Sequence, residues 1–214
     1  MSVVVPTIMA ETVDQLKESI ERLQPFAKRV QYDLSDGDFA PTILIDPGSL
    51  YWGEGWEVDV HMMYARPSEQ LARIVQLRPS MVILHAEAQE DIVPHLRFLK
   101  EQGIRAGVAL LRSTVPSTVE EAIRLADHVM IFSGDLGKFG GKASMMQLEK
   151  IRLIKKINPA AEIGWDGGVS VENAYSLSQG GVDVLNVGGA IAQASDPAEV
   201  YNNLVREINK HGVI

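Results

Sequence analysis

The chain has 214 residues, a formal net charge of −8 at pH 7, 46% hydrophobic residues and 22% charged residues. This length suits one large domain or two small ones, and the composition is ordinary for a globular protein. The acidic balance disfavours a broad nucleic-acid surface and anionic membranes, so we expect neither as a partner. The absence of cysteine excludes disulfides and thiolate chemistry. We see no signal peptide and no membrane-spanning run, and we expect a cytoplasmic protein.

Eight apolar segments predict β-strands, at 3–9, 29–34, 56–63, 81–86, 105–111, 128–133, 161–165 and 182–187. Helical spacing of apolar residues follows seven of them, at 11–23, 67–77, 91–102, 117–125, 144–157, 171–179 and 197–210. The segment 38–54 is rich in proline and glycine and predicts a loop with at most one helical turn.

The strands have apolar residues on both faces, which is typical of a parallel sheet covered on both sides. Eight βα units in about 200 residues predict an α/β fold, a single-domain (β/α)8 TIM barrel over residues 1–214. A doubly wound sheet is the structural alternative, but such sheets normally have fewer strands.

Polar residues mark the C-terminal ends of the predicted strands, where active sites of such barrels lie. They are Thr7, Asp33, His61, His85, Ser133 and Asp166. Burying an unpaired carboxylate is costly, so Asp33 and Asp166 are better explained by chemistry than by packing. His85 is better explained as a supporting or structural residue.

Glycine-rich turns follow the last three strands at the same end of the predicted barrel. They contain Gly140-Gly141, Gly167-Gly168 and Gly188-Gly189. Glycine lets backbone N–H groups approach a phosphate closely, and the loops after strands seven and eight are the usual phosphate site of this fold. Three such turns in succession predict a phosphorylated ligand.

The ordered set of motifs resembles the ribulose-phosphate 3-epimerase family from end to end. The segments that carry the resemblance are Pro-Thr-Ile-Met at 6–9, Asp-Leu-Ser-Asp-Gly at 33–37, Val-Asp-Val-His-Met-Met at 58–63, Ile-Leu-His-Ala-Glu at 83–87, Phe-Gly-Gly at 139–141, Asp-Gly-Gly-Val at 166–169 and Val-Gly-Gly-Ala-Ile at 187–191.

The resemblance implies a (β/α)8 barrel that inverts the carbon next to the ketone of a phosphorylated ketose, converting D-ribulose 5-phosphate to D-xylulose 5-phosphate. It implies that Asp33 and Asp166 are the acid and base of the reaction. It also implies a homo-oligomer and a divalent metal cation, Zn, Mn, Mg or Fe, held by Gln31, Asp33, His61 and Asp166. The substrate would contact Thr7, His61, Gly140, Gly141, Gly167, Gly168, Gly188 and Gly189.

The chain departs from the family pattern mainly at the reaction centre. Gln31 replaces the first histidine ligand, and Ser35 and Phe132 replace methionines. A glutamine carbonyl binds hard cations but is a poor zinc ligand, so we expect metal binding to be weaker, shifted towards magnesium or manganese, or lost. Two alternatives therefore stay open: an epimerase for a hexulose phosphate, and a catalytically silent relative that binds a sugar phosphate.

Overall fold

The computed structural model describes residues 2–137 and 141–210. Eight parallel strands form a closed barrel in chain order: β1 (Val3–Met9), β2 (Arg29–Ser35), β3 (Glu57–Met63), β4 (Met81–His85), β5 (Arg105–Leu110), β6 (His128–Phe132), β7 (Glu162–Asp166) and β8 (Val184–Val187). The pairing of β8 with β1 closes the barrel, with Asn186 beside Val5. The predicted (β/α)8 barrel is confirmed, and the doubly wound alternative is wrong.

Helices surround the barrel: α1 (Val13–Leu23), α2 (Ser68–Gln76), α3 (Val93–Glu101), α4 (Glu120–Leu125), α5 (Glu149–Ile157), α6 (Val171–Gln179), α7 (Gly189–Ala192) and α8 (Pro197–Ile208). Seven of them correspond to predicted helices. The short α7 was not predicted, because four residues after a glycine pair show no helical period. The predicted loop between β2 and β3 holds one 3-10 turn, Pro47–Ser49. The segments predicted to begin helices at 117 and 144 open as 3-10 turns, Pro116–Val119 and Met145–Leu148.

The alternation of side chains along each strand separates two cores. On β7, Trp165 is fully buried in the large cluster between strands and helices, whereas Asp166 reaches the mouth of the barrel. A smaller apolar cluster fills the barrel interior and comprises Met81, Ile83, Ala109, Met130 and Phe132. This cluster closes the middle of the barrel and confines polar chemistry to its ends.

Charged residues fill the end of the barrel where the strands begin. The Arg29 guanidinium donates to Asp59 (2.7 Å) and to both carboxylate oxygens of Glu162 (3.1 and 3.0 Å). His128 Nδ1 lies 2.8 Å from Glu162 Oε2. Burial alone would raise the pKa of the Glu162 carboxyl, but hydrogen bonds from His128 and Arg29 outweigh it and hold that pKa below its ordinary value. This paired cluster stabilises the end of the barrel opposite the predicted site. Among the described residues, no helix is both long and apolar enough to cross a membrane.

Candidate active site

Two aspartates from distant parts of the chain meet at the C-terminal mouth of the barrel. Asp33 lies on β2 and Asp166 ends β7, and their side chains are almost buried, at 6% and 9% exposure. His61, on β3, is the register partner of Asp33. One ligand atom from each of these three residues lies within 4.8 Å of the other two. Barrel closure thus assembles both predicted acids and the predicted histidine into one cluster.

The side chain of Gln31 connects the two aspartates. Gln31 lies two residues before Asp33 on β2, so both side chains project from the same face of the strand. The fully buried Gln31 donates from Nε2 to Asp33 Oδ1 (2.9 Å) and to Asp166 Oδ2 (2.6 Å). Its Oε1 is buried without a hydrogen-bond partner among the described residues. The amide nitrogen, rather than the amide oxygen, therefore faces the carboxylates.

A line of hydrogen bonds leads from Asp33 away from the cavity. His61 places Nδ1 2.9 Å from Asp33 Oδ1 and Nε2 2.9 Å from Nε2 of His85. His85 Nδ1 lies 3.3 Å from Glu87, which also accepts hydrogen bonds from the Leu111 N–H and the Thr114 hydroxyl. His85 thus supports His61, as predicted. Glu87 was not predicted to contribute; it lies in the turn that follows β4.

The cluster has an uneven distribution of charge. Burial raises the pKa of Asp166, and the nearby charge of Asp33 raises it further. Burial lowers the pKa of His61, but the hydrogen bond and charge of Asp33 outweigh it, and the net shift is upward. Burial lowers the pKa of His85 to about 4. His85 is therefore neutral near pH 7, and its Nε2 accepts the hydrogen bond from His61.

Three of the four predicted metal ligands form a suitable donor set. Two carboxylates and one imidazole within 4.8 Å of one another match the ligands that divalent transition metals take in proteins. Gln31 differs, because its Oε1 would face a cation only after the amide turns and releases both carboxylates. Asp33, His61 and Asp166 can therefore hold a divalent cation, and the amide of Gln31 competes with it.

A cavity of about 240 Å³ opens directly above the two aspartates. The predicted substrate contacts on its wall are Thr7, Gly141, Gly167, Gly168, Gly188 and Gly189. Gly140 lies outside the described residues. His61 is fully buried and reaches the cavity only through Asp33, so its direct contact with substrate stays a prediction. A larger groove of about 620 Å³ adjoins the cavity at Thr7 and Met9, but neither Asp33 nor Asp166 lines it.

The turn after β7 requires glycine at both positions. Gly167 and Gly168 have φ angles of +103° and +71°. A Cβ on Gly167 would lie 2.0 Å from the Gly134 nitrogen, and one on Gly168 would lie 2.2 Å from the Ala143 nitrogen. The glycines therefore let the turn after β7 pack directly on the backbone of the segment after β6. Backbone this close to the cavity wall suits the binding of an anion.

Asn186, on β8, was not predicted as a site residue. It lines the same cavity, is 2% exposed, and pairs in register with Asp166. Neither amide atom of its side chain has a hydrogen-bond partner among the described residues. The signal in the sequence is an amide between Leu185 and Val187, within a strand that otherwise reads as apolar packing.

Solved structures share the fold at low sequence identity. A 3-hexulose-6-phosphate synthase from Salmonella typhimurium superposes with a TM-score of 0.68 at 16% identity, covering 98% of this chain and 100% of that one. A 3-keto-L-gulonate-6-phosphate decarboxylase from Vibrio cholerae gives a TM-score of 0.70 at 10% identity, covering 97% of both chains. At these identities the likeness establishes the barrel and nothing about its chemistry.

Sequence relatives are more informative. The ribulose-phosphate 3-epimerase of Aquifex aeolicus is 30% identical over 204 residues, covering 92% of each chain. The Escherichia coli K12 ribulose-phosphate 3-epimerase is 26% identical and covers 97% of this chain and 96% of its own. The model of the ribulose-phosphate 3 epimerase family matches residues 3–192. The resemblance seen in the motifs is confirmed: the chain belongs to the ribulose-phosphate 3-epimerase family, whose members are isomerases.

Proposed function

We propose that this protein epimerises a phosphorylated ketose at carbon 3, interconverting D-ribulose 5-phosphate and D-xylulose 5-phosphate. The observation that carries the proposal is the meeting of Asp33 and Asp166 beneath a cavity lined by glycine turns. The names of the relatives support the same reaction. Two acids at one site are what inversion of a carbon needs, since one removes the proton and the other supplies a proton to the opposite face.

The proposed reaction begins with one aspartate ionised and the other protonated. The ionised carboxylate takes the proton from carbon 3, and the electron pair moves to the carbonyl oxygen on carbon 2 to give an enediolate. The protonated aspartate then gives its proton to the other face of carbon 3, and the ketone re-forms. The two acids have exchanged protonation states, and protons balance. The raised pKa of Asp166 beside Asp33 supports such an unequal pair.

The negative charge that develops on the oxygen of carbon 2 needs a stabilising partner. The hydrogen bond and charge of Asp33 raise the pKa of His61, which favours a proton on that imidazole beside the reacting centre. Gln31 fixes both carboxylates and keeps them from turning away from the substrate. A divalent cation, when held by Asp33, His61 and Asp166, would act as a Lewis acid on the substrate oxygens.

The phosphate of the substrate would bind at the glycine turns on the cavity wall. The turns at Gly167-Gly168 and Gly188-Gly189 follow β7 and β8, and α7 begins at Gly189. Close backbone approach at these turns suits a phosphate group. The aspartates and these turns line the same cavity, so a single ligand can contact both.

The test is an exchange assay in D₂O with wild-type protein and the variants Asp33→Asn and Asp166→Asn. Wild-type protein should convert D-ribulose 5-phosphate to D-xylulose 5-phosphate and place deuterium on carbon 3. Each variant keeps one acid, so epimerisation should fall by about 10²- to 10⁴-fold. Each should still exchange the carbon 3 hydrogen of one epimer, and the two variants should label opposite epimers.

Asp14→Asn, on exposed α1, serves as the matched control. Binding of ribulose 5-phosphate without any deuterium exchange would refute the epimerase and identify a silent binding protein. Turnover of a hexulose phosphate in preference would keep the chemistry and change the sugar. Metal analysis of the purified protein and light scattering test the expected cation and homo-oligomer.

A further inference from the structure

Asn186 is a buried amide at the wall of the proposed active site that has no hydrogen-bond partner within residues 2–137 and 141–210. The residue is only 2% exposed, and neither amide atom of its side chain has a hydrogen-bond partner among the described residues. Buried polar groups are nearly always paired, because leaving one unpaired destabilises the folded state. An amide kept at this cost, on the wall of a cavity, indicates a partner that arrives from outside the protein.

The position of Asn186 restricts what that partner is. On one side it adjoins Asp166, its register partner on β7. Along its own strand, Gly188 and Gly189 follow two and three residues later at the proposed phosphate end. Asn186 therefore adjoins both the acid proposed to act on carbon 3 and the turn proposed to hold the phosphate. In a ketose 5-phosphate, the only functional group between those two points is the hydroxyl on carbon 4.

The chemistry of the amide matches a hydroxyl group. A carboxamide offers both a donor and an acceptor, and a hydroxyl can use both at once. Thr7, on the adjacent strand β1, also lines the cavity, and its buried hydroxyl has no hydrogen-bond partner in the described part of the chain. Two neighbouring strands thus present unpaired polar groups to the same space, as expected for a polar, uncharged part of a ligand.

We propose that Asn186 binds the carbon 4 hydroxyl of the sugar phosphate and selects substrates that carry it. This inference rests on the proposed function. An active site built to bond a hydroxyl rejects the analogue that lacks it, because its own polar groups then stay unpaired.

The test compares D-ribulose 5-phosphate with its 4-deoxy analogue in wild type and Asn186→Val. Valine suits a strand and removes the unpaired amide. Wild type should prefer the full substrate by about 10-fold or more in kcat/KM. In Asn186→Val, kcat/KM for the full substrate should fall by about the same factor, while kcat/KM for the 4-deoxy analogue should change by less than about 3-fold.

Thermal unfolding without ligand provides an independent readout. Removing an unpaired amide should leave the Tm of Asn186→Val equal to or above that of wild type, whereas an amide that held the fold together would give a lower Tm. Tyr32→Phe is the matched control. Tyr32 also buries a hydroxyl that has no hydrogen-bond partner among the described residues, but it packs against Trp52 away from the cavity. It should not alter the preference between the two sugars. Asn186→Ser, which keeps a hydroxyl, gives a second variant should valine fail to fold.

Equal losses for both sugars in Asn186→Val would overturn the inference. If wild type turns over neither sugar, the proposed function fails, and calorimetric binding of the same two sugars then tests Asn186. The affinity difference between them must be present in wild type and absent in the variant; otherwise the inference fails as well.

Discussion

The hydrogen bonds that Gln31 makes to both aspartates lead to a measurable consequence for stability. The substitution Gln31→Leu removes two bonds to carboxylates, at 2.9 and 2.6 Å, while nearly preserving volume. Hydrogen bonds to charged groups contribute about 1.5–3 kcal/mol each, so the two together are worth about 3–6 kcal/mol. The variant also removes Oε1, a buried atom without a hydrogen-bond partner among the described residues. Its removal recovers about 1–3 kcal/mol of the lost stability.

Taken at the middle of both ranges, the net loss is about 2–3 kcal/mol in the free energy of unfolding. For a chain of this size each kcal/mol corresponds to about 2–4 °C, so the Tm should fall by about 4–12 °C. Gln76→Leu, on the exposed surface of α2, is the matched control and should have the same Tm as wild type. The assay is calorimetry of metal-free protein at neutral pH.

Titration with Mn²⁺ gives the second half of the test. In wild type a cation must displace the amide from both carboxylates, whereas in Gln31→Leu the three ligands are free of it. A cation at 100 times its Kd stabilises the folded state by about 2.7 kcal/mol, so saturating Mn²⁺ should restore much of the lost Tm. If Gln31→Leu has the same Tm as wild type and the same affinity for Mn²⁺, the role assigned to the amide is refuted.

Two further predictions concern the opposite end of the barrel and the phosphate turn. Glu162→Gln should destabilise the protein by about 2 kcal/mol at pH 7, after allowance for the partial exposure of the side chain. The folded-state pKa of Glu162 is lowered, so its contribution is present above the ordinary value of 4.5 and is lost as pH falls below it. The free energies of unfolding of the two proteins, measured in urea, should therefore converge as the pH falls. A constant difference down to pH 3 would contradict this. Glu101→Gln, at an exposed position of α3, is the control. Gly168→Ala combines a positive φ with a backbone clash, so it should cost about 2–4 kcal/mol and raise KM, whereas Gly55→Ala, with φ +75° and open space, should cost about 1 kcal/mol. Equal losses in these two variants, measured by the same unfolding assay, would show that the contact with Ala143 is unimportant.

Much of the fold and part of the site could be predicted because they depend on local patterns. Strands such as β4 and β6 are apolar on both faces, and that pattern alone indicates a covered parallel sheet. Asp33 and Asp166 are conspicuous because each places a carboxylate at the end of an apolar strand. Their convergence follows once the strands are known to close into a barrel.

The contacts that could not be predicted depend on closure of the barrel. The bond between Gln31 and Asp166 joins residues 135 positions apart, and no local pattern shows which atom of the amide faces the acids. Asn186 reads as one polar residue in a packed strand until the cavity beside it is known. The helix α7 is too short to show a period. Each of these features depends on neighbours that are distant in the sequence.

Strand β2 carries three features of the molecule on one face: Arg29 in the charged cluster, Gln31 between the acids, and Asp33 itself. A slip of this strand by one residue would turn all three towards the helices and push Val30, Tyr32 and Leu34 into the barrel. Such a molecule would lose the Arg29 ion pairs along with the acid. A register error in β2 would therefore lower the stability and the activity of the protein together.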